Sequence, residues 1–375
     1  MTITKNDSSL TTHFSKMKDP RIDRAKRHKL IDIIVIAICA IICGADGWEG
    51  MEIFGNAKKD WLSTYLELPN GIPGHDTFRR VFERLEPEVF QNCFLAWVQA
   101  LFVGSQGDII PIDGKTVRRS YDRGIGKDAI HLVQAWSCKN QLVLGQLKTD
   151  SKSNEITAIP QLLDLIDLNG GIVTIDAMGC QKKIAEKIVS KEADYIFGLK
   201  GNQSGLLDDV TPYFDDVIPT SRPTCDFLKK IEKGHGRIET RCVWSMPVDD
   251  WLKKTHPAWE NLSSITMIEA TRQLRGSTST QRRYYISSLP PNASMHLKAI
   301  RAHWAIENSV HWVLDVTFKE DLSRVRSKNA AENLALLRKV ALNLLRRDSS
   351  LKRGAPQKRL KAACDNAYLE KILAG

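Results

Sequence analysis

The chain has 375 residues, of which 42% are hydrophobic and 26% charged, values typical of a folded globular protein with two or three domains. They exclude a disordered chain. The net charge of +10 favours a polyanionic partner, with nucleic acid ahead of an anionic membrane surface. The eight cysteines include no Cys-x-x-Cys pair, which argues against a zinc site and predicts buried thiols in a reducing cytoplasm.

Residues 1–104 predict an all-helical amino-terminal domain. Its most apolar segment, residues 30–45, is shorter than the roughly 20 residues of a membrane-spanning helix and contains Asp32, so we expect a buried helix. Asp7 precedes any apolar run, which does not resemble a secretory signal. We therefore expect a cytoplasmic, nucleoid-associated protein with no membrane partner.

Further helices are expected in this domain over residues 49–65, from a cap at Asp76 or Thr77, and over residues 87–103. Basic residues precede the first helix, among them Arg21, Arg24, Lys26, Arg27 and Lys29. They predict either a DNA-recognition surface or the solvated face of a scaffold, and one basic stretch does not decide between these interpretations.

From residue 108 the pattern changes to strands. Five strands are predicted: one that ends at Asp113, two over residues 129–137 and 141–149, one that ends at Asp176, and one over residues 195–199. Helices are predicted over residues 156–166 and 182–192. This order indicates an α/β fold, a mixed sheet flanked by helices. Residues 205–289 then predict a β-rich insertion, which includes a strand from Arg237 with a charged outer face.

The carboxyl-terminal part is again helical. One helix is predicted over residues 297–318, with Trp304 and Glu307 inside its apolar stripe, and another over 333–345 after a capping box formed by Asn329 and Glu332. Residues 348–375 are predicted to be a basic tail, and residues 352–361 within it are expected to be mobile.

Three carboxylates carry the chemistry of this prediction. Asp113 and Asp176 end apolar strands, where an unpaired charge is costly, and Glu307 lies in an apolar stripe, so each requires a cation. Oxygen ligands suit Mg²⁺ or Mn²⁺, and two such ions about 3.5–4 Å apart can clamp both oxygens of an in-line phosphoryl displacement. A basic chain with such a site is suited to cutting or joining DNA.

Each carboxylate also has a structural interpretation. A lone aspartate at a strand end is commonly a turn former, and Gly114 and Gly179 fit that interpretation. Glu307 could pair with Arg301 or His311. The conjunction of the three favours the metal site.

Several separated motifs resemble the DDE insertion-sequence transposases, in the branch that includes the H-repeat-associated, Rhs-linked proteins. The motifs are Ile112-Asp113-Gly114-Lys115, Asp176-Ala177-Met178-Gly179-Cys180-Gln181, Asp194-Tyr195 with Leu199-Lys200-Gly201-Asn202-Gln203, and His303-Trp304-Ala305-Ile306-Glu307-Asn308 with Leu314-Asp315-Val316-Thr317-Phe318. The resemblance covers nearly the whole chain.

The resemblance implies a ribonuclease-H-like catalytic core over residues 105–204 and 290–347, interrupted by the insertion. It implies a Mg²⁺-dependent or Mn²⁺-dependent transposase with Asp113, Asp176 and Glu307 as catalytic metal ligands. Such an enzyme binds the terminal inverted repeats of its element, acts as an endonuclease and transfers the freed 3′ end to target DNA. Joining two ends predicts at least a homodimer in the active complex.

The sequence around Glu307 differs from that of a related group of transposases. That group places Tyr, Arg and Lys at fixed spacing from it, where this chain has Ile300, His303 and Leu314. His303 is predicted to replace the arginine as a phosphate contact, and Asp315 is the rival third ligand.

Other DNA contacts are predicted on basic residues near these motifs. They are Lys115, Lys200, His235, Arg237, Arg241, Arg301 and His303. For the two lysines an exposed turn position is an equally good interpretation. Two alternative functions stay open, a catalytically silent relative that only binds DNA and a glycosidase-like hydrolase with two acidic groups, although the latter explains neither the charge nor the third carboxylate.

Overall fold

The computed structural model of the protein describes residues 10–149, 155–215, 225–234, 236–274 and 276–374. The helices are α1 (Leu10–Phe14), α2 (Leu30–Ile42), α3 (Trp48–Ala57), α4 (Lys59–Leu62), α5 (His75–Arg84), α6 (Pro87–Leu101), α7 (Glu155–Leu165), α8 (Lys182–Ser190), α9 (Ser204–Asp215), α10 (Asp250–Thr255), α11 (Ala293–Ile306), α12 (Trp312–Val316), α13 (Ala330–Arg347), α14 (Ala355–Cys364) and α15 (Asn366–Ala374). The strands are β1 (Ile109–Thr116), β2 (His131–Ser137), β3 (Leu142–Lys148), β4 (Ile172–Ile175), β5 (Asp194–Leu199), β6 (Asp226–Gly234), β7 (Arg237–Pro247), β8 (Ser264–Leu274) and β9 (Ser277–Ser287).

These elements fall into two compact units. The helical unit comprises the described residues of 10–103, 114–149 and 307–374, and the sheet unit comprises those of 104–113 and 155–306. Strand β1 belongs to both, since the division falls between Asp113 and Gly114. The mixed α/β class expected from the sequence is confirmed.

The helical unit is built around two buried helices. Helix α2 is apolar on nearly every side and buried along almost its whole length, so the expectation of a buried helix is confirmed. Helix α13 is also buried along most of its length and packs against α2. Along the described residues no helix is long and apolar enough to cross a membrane. The single helix expected over 49–65 is instead two, α3 and α4.

The cap expected for α5 is wrong, and Asn329 precedes α13 as expected but forms no local cap hydrogen bond, because tertiary partners replace the local ones. Helix α5 begins at His75, and its first backbone N–H donates to Glu52 Oε2 at 2.8 Å instead of to Asp76 or Thr77. At the start of α13, the Asn329 amide donates to the carbonyl of Leu85 at 3.2 Å.

The carboxyl-terminal segment is folded, and the expectation of a mobile tail is wrong. It forms α14 and α15, and α14 packs against both α2 and α13. Lys358 and Arg359 are buried: Lys358 Nζ donates to the Leu345 carbonyl at 2.8 Å, and Arg359 donates to the carbonyls of Ile41 and Thr317. Two of the basic residues therefore satisfy the carbonyl groups of buried helix ends.

Strands β2 and β3 form the predicted antiparallel hairpin in the helical unit, where the strand order is β3-β2-β1. The outer strand is completed by a side chain. Asn343, buried in α13, accepts from the backbone N–H of Val143 at 2.8 Å and donates to its carbonyl at 3.0 Å. One amide thus replaces a neighbouring strand at this point.

The sheet unit has the strand order β1-β4-β5-β9-β8-β7-β6. The first three strands are parallel, and from β5 onward each pair is antiparallel. Strands β4 and β5 are apolar on both faces, as expected for the buried centre of a sheet. Strand β1 runs three residues past Asp113, so its predicted end is wrong.

The region from residue 205 begins with helix α9, so only the later part is β-rich. Its last strand, β9, pairs with β5 from Leu199↔Tyr284 to Ile196↔Ser287, and β8, β7 and β6 follow outward. The inserted strands therefore extend the same sheet. This long-range pairing is not encoded in any local pattern.

The helix expected over residues 297–318 is interrupted. Helix α11 ends at Ile306, a π-helical turn spans Glu307–His311, and α12 follows. Trp304 is 54% exposed, so its assignment to an apolar stripe is wrong. Of the cysteines, Cys39 and Cys180 are buried as expected, whereas Cys364 is exposed.

A buried histidine makes the sheet unit sensitive to acid. His296 of α11 is fully buried, with Nδ1 2.7 Å from Thr266 Oγ1 and 3.1 Å from Ser245 Oγ, and burial lowers its pKa to about 4. An unfolded histidine takes up its proton near pH 6.5. The stability that His296 contributes is therefore complete above pH 6.5 and is lost as pH falls from 6.5 to about 4.

We expect His296→Gln to remove this pH dependence. Between pH 7.5 and pH 4, the wild type should lose about 3 kcal/mol more unfolding free energy than the variant, the worth of the pKa shift. Urea unfolding at a series of pH values measures the difference. An equal loss in both proteins would show that His296 does not titrate in this way.

Candidate active site

The site starts from the register of two parallel strands. Ile112 of β1 pairs with Ile175 of β4, so Asp113 and Asp176 are the next residues on neighbouring strands. Neighbouring strands lie about 4.8 Å apart, and residues in register point to the same face. The register of the sheet unit therefore places two of the predicted carboxylates at neighbouring backbone positions, one in β1 and one directly after β4.

Asp176 also has the turn-forming role that a structural interpretation predicts. Its Oδ1 accepts from the backbone N–H of Met178 at 3.0 Å, and the N–H of Gly179 lies at 3.5 Å. A Cβ at Gly179 would lie 2.3 Å from Ile175 Cγ2, so the turn requires glycine there. These contacts fix the orientation of the Asp176 carboxylate, whose side chain is exposed.

The loops after β4 and β5 are joined by two amide side chains. Asn202 Nδ2 donates to the Ala177 carbonyl at 2.6 Å, and Gln203 Nε2 donates to the Cys180 carbonyl at 2.9 Å. The sequence showed these residues only as part of a motif. Their contacts hold the loop that carries Lys200 against the loop that carries Asp176.

A pocket of about 180 Å³ opens beside Asp176 in the sheet unit. Its polar and aromatic lining includes Asp176, Lys200, Gln281, Arg283, His303 and Trp304, above an apolar floor that includes Ile175, Ile196 and Ile300. The structure thus brings Asp176 together with two of the predicted DNA contacts, Lys200 and His303. Basic groups beside a carboxylate could hold the phosphates of a strand that reaches it.

His303 is positioned by the buried residue Thr174. Its Nδ1 lies 3.2 Å from both Thr174 Oγ1 and the Thr174 carbonyl. Thr174 and Asp176 alternate along one strand and therefore face the same side of the sheet, where α11 packs. This contact explains how a helix residue reaches the end of β4.

Two pocket residues were not found from the sequence. The Arg283 guanidinium lies 5.7 Å from the centroid of the Trp304 ring, a cation–π distance, and both residues line the pocket. An exposed tryptophan beside the predicted glutamate was the available signal for Trp304. Arg283 comes from β9, and only the pairing of β9 with β5 brings it here.

The predicted DNA contacts of the insertion and of α11 include three arginines that are paired with carboxylates. Arg241 and Arg301 both bind Glu232, and the hydrogen bond from Arg301 is the main reason that the pKa of Glu232 falls to about 2. Arg237 Nε lies 2.9 Å from Glu239 Oε1. His235 lies outside the described residues.

In the helical unit, Glu307 opens the π-helical turn. Its side chain is 58% exposed, and its Oε2 lies 2.9 Å from Nδ1 of the buried His311, one of the two pairings expected from the sequence. Burial lowers the pKa of His311, so the neutral ring donates its Nδ1–H to the carboxylate. Single π-helical turns inside α-helices occur frequently at functional sites.

Lys115 lies in a buried cluster of charges in the same unit. Its Nζ is 2.6 Å from Asp315 Oδ1, 3.1 Å from Glu320 Oε2 and 3.3 Å from Asp321 Oδ1. Arg338, also buried, lies 3.9 Å from Glu320. Only 7% of the Lys115 side chain is exposed, which leaves its predicted phosphate contact without support.

The cluster keeps Lys115 and Glu320 charged, whereas burial raises the pKa of Asp315. Burial disfavours the charge on Lys115, but Glu320, Asp315 and Asp321 outweigh it, so the pKa of Lys115 lies above its usual value. Burial likewise opposes the charge on Glu320, but Lys339, Lys115 and Arg338 outweigh it and lower its pKa. Asp315, the rival ligand, is thus already bound to a cation.

Family models match both parts of the chain. The model described as Transposase DDE domain matches residues 104–344, and the model described as DDE_Tnp_1-associated matches residues 11–98.

Similar proteins are found in Escherichia coli. “Putative transposase YncI” of strain O157:H7 is 44% identical over 372 residues, which cover 98% of this chain and 94% of that protein. “H repeat-associated putative transposase YhhI” of strain K12 is 42% identical over 373 residues, which cover 98% of each. “Inactive transposase YbfQ” of strain K12 is 47% identical over 72 residues, 19% of this chain and 86% of that protein.

We expect Lys115→Met to destabilise the protein by about 3–5 kcal/mol, because it removes the cation that Asp315, Glu320 and Asp321 share in a buried cluster. Urea unfolding measures the loss. The matched control is Lys127→Met: Lys127 Nζ donates only to backbone carbonyls of Arg326 and Lys328 among the contacts described, and its loss should cost about 1 kcal/mol. Equal effects of the two variants would contradict a special role for the charge cluster.

Proposed function

Because this chain belongs to the family of transposase DDE domains, we propose that it cleaves DNA at the ends of an insertion-sequence element and joins the freed 3′ ends to a target. The resemblance to H-repeat-associated transposases noted in the sequence is confirmed by the relatives. The observation that carries the proposal is the adjacent placement of Asp113 and Asp176 at the end of β4, beside a pocket with basic side chains.

The donor set suits a hard divalent cation. Asp113 and Asp176 offer carboxylate oxygens in register, and Mg²⁺ and Mn²⁺ prefer such ligands. When bound, the ions would supply the activation of water or a 3′-hydroxyl and the neutralisation of charge on the phosphodiester. The residues of the chain would then hold the ions and orient the DNA strand.

We propose Glu307, not Asp315, as the third ligand. Asp315 Oδ1 is bound to Lys115 at 2.6 Å, whereas the Glu307 side chain is 58% exposed and oriented by His311. Carboxylates that bind metal ions are commonly oriented by a hydrogen bond from a neighbouring group. The π-helical turn places this glutamate at an irregular point of the helix, which supports a functional role.

The core is proposed to be ribonuclease-H-like. The antiparallel β2–β3 hairpin, the parallel strands β1, β4 and β5, and the strand orders around β1 support this assignment. In this assignment Asp113 lies in β1, Asp176 directly follows β4, and Glu307 lies in a late helical segment.

Lys200, His303 and Arg283 are the proposed contacts to the DNA backbone near the site. They line the pocket that contains Asp176, and Lys200 is exposed. Arg237, Arg241 and Arg301 would have to exchange a carboxylate for a phosphate, which makes them weaker candidates. The partner is double-stranded DNA, with two copies of the chain in the active complex to hold two ends.

A catalytically silent relative is the second candidate, and the name of the inactive relative favours considering it. This chain keeps all three carboxylates, which supports activity. Metal-independent binding to element ends without any cleavage would favour the silent relative.

We expect Asp113→Ala, Asp176→Ala and Glu307→Gln each to reduce metal-dependent cleavage of an element end by more than about 100-fold. Loss of a ligand should exceed the roughly 10- to 100-fold effect of losing an outer partner. A nicking assay on labelled end DNA with Mg²⁺ or Mn²⁺ measures the rate.

The matched control is Asp164→Ala, which removes an exposed carboxylate paired with Lys187. It should change the rate by less than about twofold, because exposed ion pairs contribute little. Cleavage by Asp113→Ala at the wild-type rate would exclude the proposed site.

DNA affinity should also report on the pocket. Lys200→Ala and Arg283→Ala should each weaken binding to end DNA and reduce the slope of log affinity against log salt by about 1, as expected for one lost phosphate contact. Lys253→Ala, an exposed lysine of α10, is the control and should leave the slope unchanged. Titrations between about 50 and 200 mM salt measure the slope; the same slope in all four proteins would remove these two contacts from the proposal.

A further inference from the structure

The buried lysine that follows the first active-site strand points to a role beyond charge balance. We propose that Lys115 is a positioning residue for catalysis: its ion pair with Asp315 ties the strand that carries Asp113 to the helix that follows Glu307. This inference rests on the proposed function. It adds a residue pair that touches neither DNA nor metal but restrains the chain next to Asp113 and the helix next to Glu307.

The first end of this link is strand β1. Lys115 lies two residues after Asp113, inside the part of β1 that continues beyond the predicted strand end. A residue within a strand can move little relative to its neighbours, because backbone hydrogen bonds fix the extended chain on either side. Holding Lys115 therefore restrains the position of Asp113.

The second end is helix α12. Asp315 lies in this helix, which directly follows the π-helical turn Glu307–His311. The turn is itself held, since Arg346 Nη2 donates to the Ser309 carbonyl at 2.8 Å and His311 binds Glu307. Continuous helical backbone thus connects Asp315 to Glu307.

Burial makes the link strong and directional. Lys115 is almost fully enclosed, and its shortest contact is the 2.6 Å bond to Asp315 Oδ1. Charges out of contact with water interact more strongly than exposed ones, and a lysine with three carboxylate partners can adopt few positions.

The other two carboxylates have partners of their own. Glu320 is fully buried beside Arg338, and Asp321 accepts from Arg118, whose Nε lies 3.2 Å from Asp321 Oδ2. Both residues lie in the turn after α12. They can neutralise Lys115 when Asp315 is changed, so charge balance and positioning can be separated by mutation.

The test compares Asp315→Asn with Asp321→Asn in the full-length chain. Each variant removes one carboxylate charge next to Lys115, but only the first cuts the link to α12. Cleavage of end DNA is measured over a series of Mg²⁺ and Mn²⁺ concentrations. Affinity for the same DNA is measured in EDTA, and urea unfolding checks that both variants fold.

We expect Asp315→Asn to lower the Mg²⁺-dependent cleavage rate by about tenfold or more and to raise the Mg²⁺ concentration for half-maximal activity, as for other partners that position metal ligands. Mn²⁺ should restore part of the rate, because Mg²⁺ demands near-ideal octahedral geometry. DNA affinity should not change. Asp321→Asn should resemble the wild type in every one of these measurements.

Two results would overturn the inference alone. The first is identical Mg²⁺ dependence of Asp315→Asn and Asp321→Asn in a protein whose wild type cleaves. The second is complete loss of cleavage by Asp315→Asn in both metals, as for Asp113→Ala, which would make Asp315 a ligand. A wild type without metal-dependent cleavage, or an active Asp113→Ala, would instead overturn the proposed function and this inference with it.

Discussion

The parallel pairing of β1 with β4 is the constraint on which the rest of the site depends. Both strands are buried where they pair, so their register is set by burial on both faces. A slip of one residue would turn every side chain to the opposite face and separate Asp113 from Asp176. The proposed divalent cation would neutralise the two carboxylates that this register places at neighbouring positions.

Charged side chains differ in burial between the two units. In the helical unit, Lys115, Glu320 and Arg338 are buried and balanced against one another, so removing any one leaves an uncompensated charge. In the sheet unit, Lys200 and Asp176 are exposed at the pocket. The buried charged residues therefore stabilise the fold, while the exposed ones remain available to bind a ligand. A net charge of +10 does not distinguish these roles.

The segment that looked like an insertion contributes to the site through the sheet. Because β9 pairs with β5, Arg283 reaches the pocket and contacts Trp304. On the far strands Arg237 and Arg241 pair with carboxylates instead. Some basic residues of this segment thus lie beside the site, while others pair with carboxylates within the sheet. Distance along the chain does not predict to which group a basic residue belongs.

Local patterns in the sequence determined the elements that are stabilised locally. The apolar run of α2, the strands, the aspartates that follow the apolar residues of β1 and β4, and the motif around Glu307 were all visible, since burial and periodicity act over a few residues. The family followed from those motifs. Tertiary structure decided the rest. Glu52 caps α5 although it lies on another helix, and Lys115 contacts carboxylates such as Asp321 that lie some 200 residues away in the sequence. The π-helical turn divides a helix that the sequence pattern predicted to be continuous. These features depend on partners brought close only by folding, and no local pattern records a partner that distant.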